Sequence, residues 1–415
     1  MRTFLTLNDE PDLLPLLSAP RVESVYVDDL DVLNAAVQDL LAASGYLAVD
    51  AERASGFKYS QRAYLVQLYR TGSKIYLLDP IAFTDAELTQ LSEFMADTPW
   101  ILHAATQDLS CLAELGLYPN ELFDTELISR LLGFERVGLG AVCELALGVR
   151  LAKEHSAADW STRPLPANWL NYAALDVDVL PEMQKYLLAE IQAQGKEEIV
   201  AQEMKHLLRF QPKPAKTERW RSMSNFHDLR EPRQLAVAKS MWEAREQLAQ
   251  KLDVSPGRLV PDSSIVHVAK TLPQTKSKLT GDKSFNGRAS RTYLDIWWQA
   301  LDSGISVREL PPMRISVGGL PNHRNWPAKF PEADARLQAA KEVIAEASKR
   351  LLIPTENILT PDYLRQLCFE PEGYSTVEIG NQLTQLGARP WQIAELADEL
   401  SRALSTAKLP VDPAL

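Results

Sequence analysis

Apolar and polar residues alternate at period two along Tyr64-Leu65-Val66-Gln67-Leu68-Tyr69, and similar short segments, Tyr46-Leu47-Ala48-Val49 and Lys74-Ile75-Tyr76-Leu77-Leu78-Asp79, stand on either side. This pattern predicts three strands. The polar loop Arg53 to Arg62 and the turn Thr71-Gly72-Ser73 separate them, so they read as hairpin-connected neighbours. Residues up to Pro20 read as an irregular lead-in, whereas Asp28 to Ala43 carries apolar positions at helical spacing. Thr84 to Met95 reads as an amphipathic helix opening at a Thr cap. A fourth strand, Trp100-Ile101-Leu102-His103, feeds a helix from Thr106 to Leu115, and helical periodicity returns over Thr125 to Leu132, Leu139 to Leu147 and Asn168 to Ala193. Strands first, then alternating strand and helix, imply a mixed α/β sheet covered by helices.

The first predicted strand ends in Asp50-Ala51-Glu52. Period-two geometry puts both carboxylates on one face, where they repel unless a partner compensates them. A divalent cation is the simplest partner, because hard cations prefer oxygen ligands; in a loop just past the strand the same two residues would be solvated and idle. Asp108 falls in the first turn of the helix after Leu102-His103, a place that open α/β sheets use for their sites and that the helix dipole also favours for any Asp. Tyr172 and Asp176 lie four apart on a helix and share a face, and small Ala173 and Ala174 would let that helix approach the sheet closely. Asp124-Thr125 suits a helix cap better than a metal ligand. His103 reads as a packed, hydrogen-bonded histidine at a strand end.

Length and charge narrow the rest. A chain of 415 residues suggests two or three domains, and a hydrophobic share of 46% beside 24% charged residues supports a substantial core. A net charge of −11 argues against a protein that coats nucleic acid or anionic membrane with its whole surface, so polyanion binding has to be local. Cys111, Cys143 and Cys368 form no Cys-x-x-Cys pair, which fits a reducing compartment and excludes a cysteine zinc site. With no signal-like amino terminus and no apolar run near the roughly 20 residues that span a bilayer, the chain reads as cytoplasmic and soluble, without a membrane role.

Asp50-Ala51-Glu52, His103-Ala104-Ala105-Thr106-Gln107-Asp108 and Tyr172-Ala173-Ala174-Leu175-Asp176 together resemble the three exonuclease motifs of the DEDD superfamily, in its tyrosine-bearing branch. Asp159-Trp160-Ser161-Thr162-Arg163-Pro164-Leu165 is similar to the segment before the third motif in ribonuclease D. The resemblance implies an α/β ribonuclease H-like exonuclease domain with a mixed sheet. It also implies that Asp50, Glu52, Asp108 and Asp176 hold two divalent metals, about 3.5–4 Å apart in such sites. Magnesium is the expected ion, with manganese as a substitute, and Tyr172 would orient the attacking water. The implied activity is 3′-5′ exoribonuclease cleavage of RNA with a free 3′ end, such as tRNA precursors, releasing nucleoside 5′-monophosphates, with no obligate protein partner. A DNA exonuclease on the same scaffold, or a noncatalytic RNA-binding module with a vestigial site, are the competing readings.

Past Leu208 the composition turns basic and proline-spaced. Lys213, Lys216, Arg219 and Arg221, interleaved with Phe210, Trp220 and Phe226, suit a phosphate backbone with stacking bases, or a solvated linker. Lys58 and Arg62 in the loop after the first motif, and Arg163, are further candidates to touch RNA, each equally suited to a structural role. An approximate helical repeat follows: Ala238-Lys239 leads to Leu259-Val260-Pro261-Asp262, and Ala340-Lys341 leads to Leu359-Thr360-Pro361-Asp362. Both copies resemble the helicase-and-RNase-D carboxy-terminal (HRDC) domain, so two all-α helical bundle domains are expected. The expected divisions are 1–208 exonuclease, 209–228 basic linker, 229–305 first helical domain, 306–330 hinge and 331–408 second helical domain. The first copy is the more basic, and is expected to contribute more to RNA binding.

Overall fold

A computed structural model describes residues 14–152, 158–212, 214, 217–285, 287–315 and 318–407. Strand β1 (Leu16–Leu17) pairs in parallel with β8 (Arg150–Leu151) as a small separate sheet. The main sheet contains β2 (Ser24–Val27), β3 (Ser44–Arg53), β4 (Ala63–Thr71), β5 (Ile75–Leu78), β6 (Trp100–Leu102) and β7 (Leu122–Asp124), in the order β2-β5-β4-β3-β6-β7. Strands β3, β4 and β5 are antiparallel neighbours, as the alternation predicts, and β2, β6 and β7 add in parallel at the two sides. Strand β3 is therefore central, and Leu47, Ala48 and Val49 are fully buried within it. That placement fixes Asp50 and Glu52 at the end of a rigid, doubly flanked strand.

Helix α1 (Leu30–Ala42) starts where Asp29 accepts the amides of Asp31 and Val32. Helix α2 (Thr89–Ala96) begins five residues later than the predicted Thr84 start. At Thr84 the Glu87 carboxylate instead takes both the backbone N–H and the hydroxyl, closing a turn that stops short of a helix. The helix expected over 106–115 is a 3-10 turn, Ala105–Gln107, and a short α3 (Leu109–Ala113), with Asp108 between them, whereas α4 (Thr125–Leu131) and α5 (Leu139–Leu147) follow the periodicity. The long helix expected over 168–193 is two helices, α6 (Ala167–Asp178) and α7 (Leu180–Gln194), with Pro181 in the first turn of α7. A proline there lacks the N–H that would continue the ladder of α6, so α6 ends and a new helix begins. Fully buried Ala173 and Ala174 let α6 pack on β3, β4 and β5.

The two carboxy-terminal helical units differ in how they pack. Each opens with a long helix, Pro232–Leu252 and Pro331–Leu351, that ends in a left-handed residue, Asp253 and Leu352 respectively. The sequence markers Ala238-Lys239 and Ala340-Lys341 thus lie inside these helices rather than at their starts. The first unit has its own core, built on Leu235, Met241, Ile265, Val268, Trp297 and Leu301. Trp220 is buried in that core with Phe226 edge-on at 5.5 Å, so the expected linker stretch is partly domain interior. The second unit shares one continuous core with the exonuclease domain. Its Arg389 pairs with buried Glu203 of α8 (Glu197–Leu207) at 2.7 Å, and the Trp391 indole donates to the same carboxylate at 2.8 Å. Trp326, within the stretch expected as a hinge, is fully buried against Phe369.

The first unit grips the loop after β3. Ser255 donates its N–H to the Phe57 carbonyl, Arg258 donates to the Gly56 carbonyl and stacks on the Phe57 ring, and Asp253 accepts the Ser60 amide. Among the described residues no helix is long and apolar enough to cross a membrane.

Candidate metal-binding active site

Asp50, Glu52 and Asp176 each offer a carboxylate oxygen, and these oxygens lie within 4.8 Å of one another. Two come from alternate positions of β3 and the third from α6, which the small alanines bring against the sheet. Asp108 stands outside this tight group, at the N-cap position of α3. It is buried, it lines the same cavity of about 490 Å³, and its Oδ1 lies 3.9 Å from Nη2 of Arg53. Tyr172, one turn before Asp176, lines the cavity as well.

The electrostatics of this cluster are those of a site built to be neutralised by something else. Burial, followed by the neighbouring carboxylates, raises Glu52, Asp108 and Asp176, Asp108 to about 8 and Glu52 higher still. Burial alone raises Asp50, to about 6, against the pull of an Ala51 hydrogen bond and the Arg53 charge. Burial shifts all four toward the protonated form, and for Glu52, Asp108 and Asp176 the neighbouring like charges add to it. The clustered donors are all hard carboxylate oxygens, a set that suits magnesium or manganese rather than zinc or copper. Burial, then Asp176, Glu52 and Asp50, also raises the Tyr172 phenol, so it stays a hydrogen-bond donor through the neutral range.

The loop that carries Asp108 is held by Asp124. That carboxylate accepts the Glu126 and Leu127 amides as the cap of α4, and also the Ala104 and Ala105 amides at 3.0 and 2.8 Å. Ala104 is left-handed at φ 62°, a conformation costing an alanine about 1–2 kcal/mol, and the two-way clamp holds it there. Asp124 is thus the cap the sequence suggests, with a second duty that sequence spacing does not reveal. His103 donates or accepts at Nδ1 with the Thr125 hydroxyl at 2.8 Å, and burial lowers it to about 4, so it is neutral in the working range.

The expected RNA-contacting residues divide. Arg163 is corrected: all five guanidinium N–H groups are used, on both oxygens of Asp79 at 2.6 and 2.7 Å and on the carbonyls of Trp160, Thr162 and Tyr64. The hydroxyl of Tyr26 donates to the same Asp79. Arg163→Ala is expected to destabilise the fold by about 3 kcal/mol, since it strands the buried Asp79 carboxylate; chemical denaturation reads this, with RNA affinity unchanged. Arg221 is corrected too: its side chain is 10% exposed, bonded to Glu218 and the Pro312 carbonyl, and stacked on Trp220. Trp220 is correspondingly too buried to stack with bases. Lys58 faces the junction with the first helical unit, near Asp253, and Arg62 lies exposed over the Tyr64 ring; neither lines the cavity. Arg219 is half-exposed beside Glu246 and the Trp242 ring. Lys213 and Lys216 lie outside the described residues.

Two residues escape sequence reasoning. Gln67 is paired with Asp50 across the β3–β4 ladder, fully buried, and neither of its amide atoms finds a partner among the described residues. Arg53 would alternate away from Asp50 and Glu52 on a regular strand. The ladder shifts register between Glu52 and Arg53, and Arg53 lines the cavity beside them. The extra residue of that irregularity is Tyr64, on β4.

Comparisons with known proteins agree with this architecture. Residues 24–192 match the 3′-5′ exonuclease family, 234–301 the HRDC domain, and 319–404 the 3′ to 5′ exonuclease C-terminal domain. The chain is 30% identical over 303 residues to ribonuclease D of Acidiphilium cryptum, covering 70% of this chain and 74% of that protein. A crystal structure of a protein from Bifidobacterium adolescentis superposes with a TM-score of 0.85 at 35% identity, over 94% of this chain and 99% of the other. Escherichia coli RNase D, an exoribonuclease involved in structured RNA processing, shares the fold with a TM-score of 0.64 at 22% identity, over 92% of this chain and 99% of its own. With the acidic cavity on its central strand and these matches along its length, the chain belongs to the ribonuclease D family of 3′-5′ exoribonucleases.

Proposed function

We propose that the protein shortens RNA from its 3′ end, using two divalent cations held by Asp50, Glu52, Asp108 and Asp176 and releasing nucleoside 5′-monophosphates. The convergence of three carboxylates within 4.8 Å, at the end of a central strand, is the observation that supports this reading most directly. Bound there, a cation pair supplies Lewis-acid polarisation of the phosphate and a more acidic attacking water. The chain does the rest. Asp50 and Glu52, on the rigid strand, and Asp176, on the closely packed helix, fix the cation positions. Tyr172, kept protonated, donates a hydrogen bond that orients the attacking water rather than acting as a base. Asp108 completes the ligand set from the clamped loop.

Magnesium is the proposed physiological ion and manganese a substitute; structured RNA such as tRNA precursors is the proposed substrate class, and the cytoplasm the proposed place of action. The test is digestion of 5′-labelled and 3′-labelled RNA, beside matched DNA, with and without chelator. Expected are a descending ladder from the 5′ label, labelled mononucleotide from the 3′ label, silence with chelator and slower attack on DNA. Faster digestion of DNA, or internal cuts, would overturn the assignment.

A further inference from the structure

The cavity contains one residue whose chemistry the four carboxylates and the tyrosine leave unused. Arg53 lines it together with Asp50, Glu52, Asp108, Tyr172 and Asp176. It carries the one full positive charge among the described lining residues, His103 being neutral. Its guanidinium is 28% exposed, and its closest charged partner is Asp108 at 3.9 Å, beyond hydrogen-bonding distance. Among the described residues none of its five N–H groups makes a hydrogen bond. That contrasts with Arg163, where all five are taken, and with Arg21, whose guanidinium is spent on Asp178 and Glu182. A guanidinium at the wall of an open polar cavity with its donors unspent is set up to receive an oxyanion.

Charge balance says which one. Two divalent cations cancel four carboxylates, so a loaded site has no net charge left for the substrate. The phosphodiester then arrives with one negative charge, and Arg53 matches it. Without cations, the Arg53 guanidinium lies 3.9 Å from Asp108, at the edge of the acid cluster.

We propose that Arg53 is the phosphate-anchoring residue of this site, its donors free beside Asp108 in the metal-free protein and engaged by a non-bridging oxygen of the 3′-terminal phosphodiester when RNA is bound. The inference rests on the nuclease reading of the site, and it extends that reading to how the substrate's charge is met. It adds a substrate contact to the motif carboxylates and follows from this chain's own cavity.

The test compares wild type with Arg53→Met and Arg53→Lys in the full chain. Removing the charge is expected to lower the single-turnover rate of mononucleotide release about a hundredfold, the scale of losing one transition-state donor, with Arg53→Lys recovering part of it. A readout independent of turnover is calorimetric titration of manganese without RNA. There Arg53→Met is expected to bind about five- to tenfold more tightly, because a cation beside the ligands has gone. A third arm places a neutral methylphosphonate at the terminal linkage: the rate penalty should be large for wild type and much smaller for Arg53→Met, since only wild type loses a charge partner. A purely structural arginine would instead lower the melting temperature and leave manganese affinity unchanged or weaker. Release by Arg53→Met within threefold of wild type, or equal methylphosphonate penalties, would overturn the proposal. If wild type itself releases nothing, the nuclease reading fails, and unchanged manganese affinity in Arg53→Met would still overturn the role given to Arg53.

Discussion

Asp176→Asn is expected to abolish mononucleotide release, by about 10³-fold or more, and at the same time to make the metal-free protein more stable. The first effect follows from removing one ligand oxygen from a group of three that share 4.8 Å. The second follows from the direction in which Asp176 titrates. Burial and then the Asp50 and Asp108 charges raise it well above the ordinary carboxylate range. A carboxyl raised in this direction binds more protons folded than unfolded, and that uptake works against folding as pH rises above the range of a free aspartate. Asparagine needs no proton. Losing that proton uptake is expected to raise the melting temperature of the metal-free variant above that of wild type. Added magnesium or manganese, which raises the melting temperature of wild type, should do little for the variant. Asp50→Asn should show the same activity loss. Full nucleotide release by either variant, in a protein that still melts cooperatively, would remove the metal-ligand assignment.

Opposite signs in activity and stability also explain why the carboxylates were legible in the sequence. A fold selected only for stability would not place Asp50 and Glu52 at the end of an apolar central strand, nor Asp176 on a helix facing them. Local rules break there, and period-two spacing, the Tyr172–Asp176 interval and the small Ala173-Ala174 step expose the break in the sequence itself. What stayed hidden depends on partners distant in the chain. Strand β2 is four residues long and is a strand only because β5 receives it in parallel. Arg163 and Arg221 read as basic residues available for phosphate, yet Asp79 and Glu218 with Pro312 consume them. Arg53 reads as the first residue of a polar loop, whereas the structure keeps it on β3 and in the lining of the cavity, a placement that spacing does not mark. The fusion of the second helical unit to the exonuclease core rests on Glu203, Arg389 and Trp391, three residues without a local pattern. Its outcome is an architecture in which only the first helical unit has an independent core, while it holds the loop that borders the active cavity.

The same acid cluster predicts how metal binding and pH are linked. In the metal-free protein the folded values of Asp50, at about 6, and Asp108, at about 8, lie above those of unfolded aspartate, with Glu52 and Asp176 raised as well. A carboxyl raised by folding binds more protons folded than unfolded, so it favours the folded state at low pH and ceases to do so as pH rises through the folded value. Stability of the chelated protein is therefore expected to fall between pH 6 and pH 9, with a slope of ~1.4 kcal/mol per pH unit for each proton still held. Cations replace those protons. Their apparent affinity should rise about tenfold per pH unit for each proton displaced, and the protein saturated with manganese or magnesium should lose most of the decline. Parallel thermal melts from pH 6 to pH 9, with cation and with chelator, measure both curves, and calorimetry in buffers of different ionisation enthalpy counts the protons released. Nucleotide release at fixed, subsaturating magnesium should climb with pH over the same interval and flatten when magnesium is raised, because the protons compete for the ligands and do not enter the chemical step. Melting curves that converge at high pH instead of separating there would mean that the carboxylates are already ionised in the metal-free fold, compensated by Arg53 and solvent, with no protons for a cation to displace.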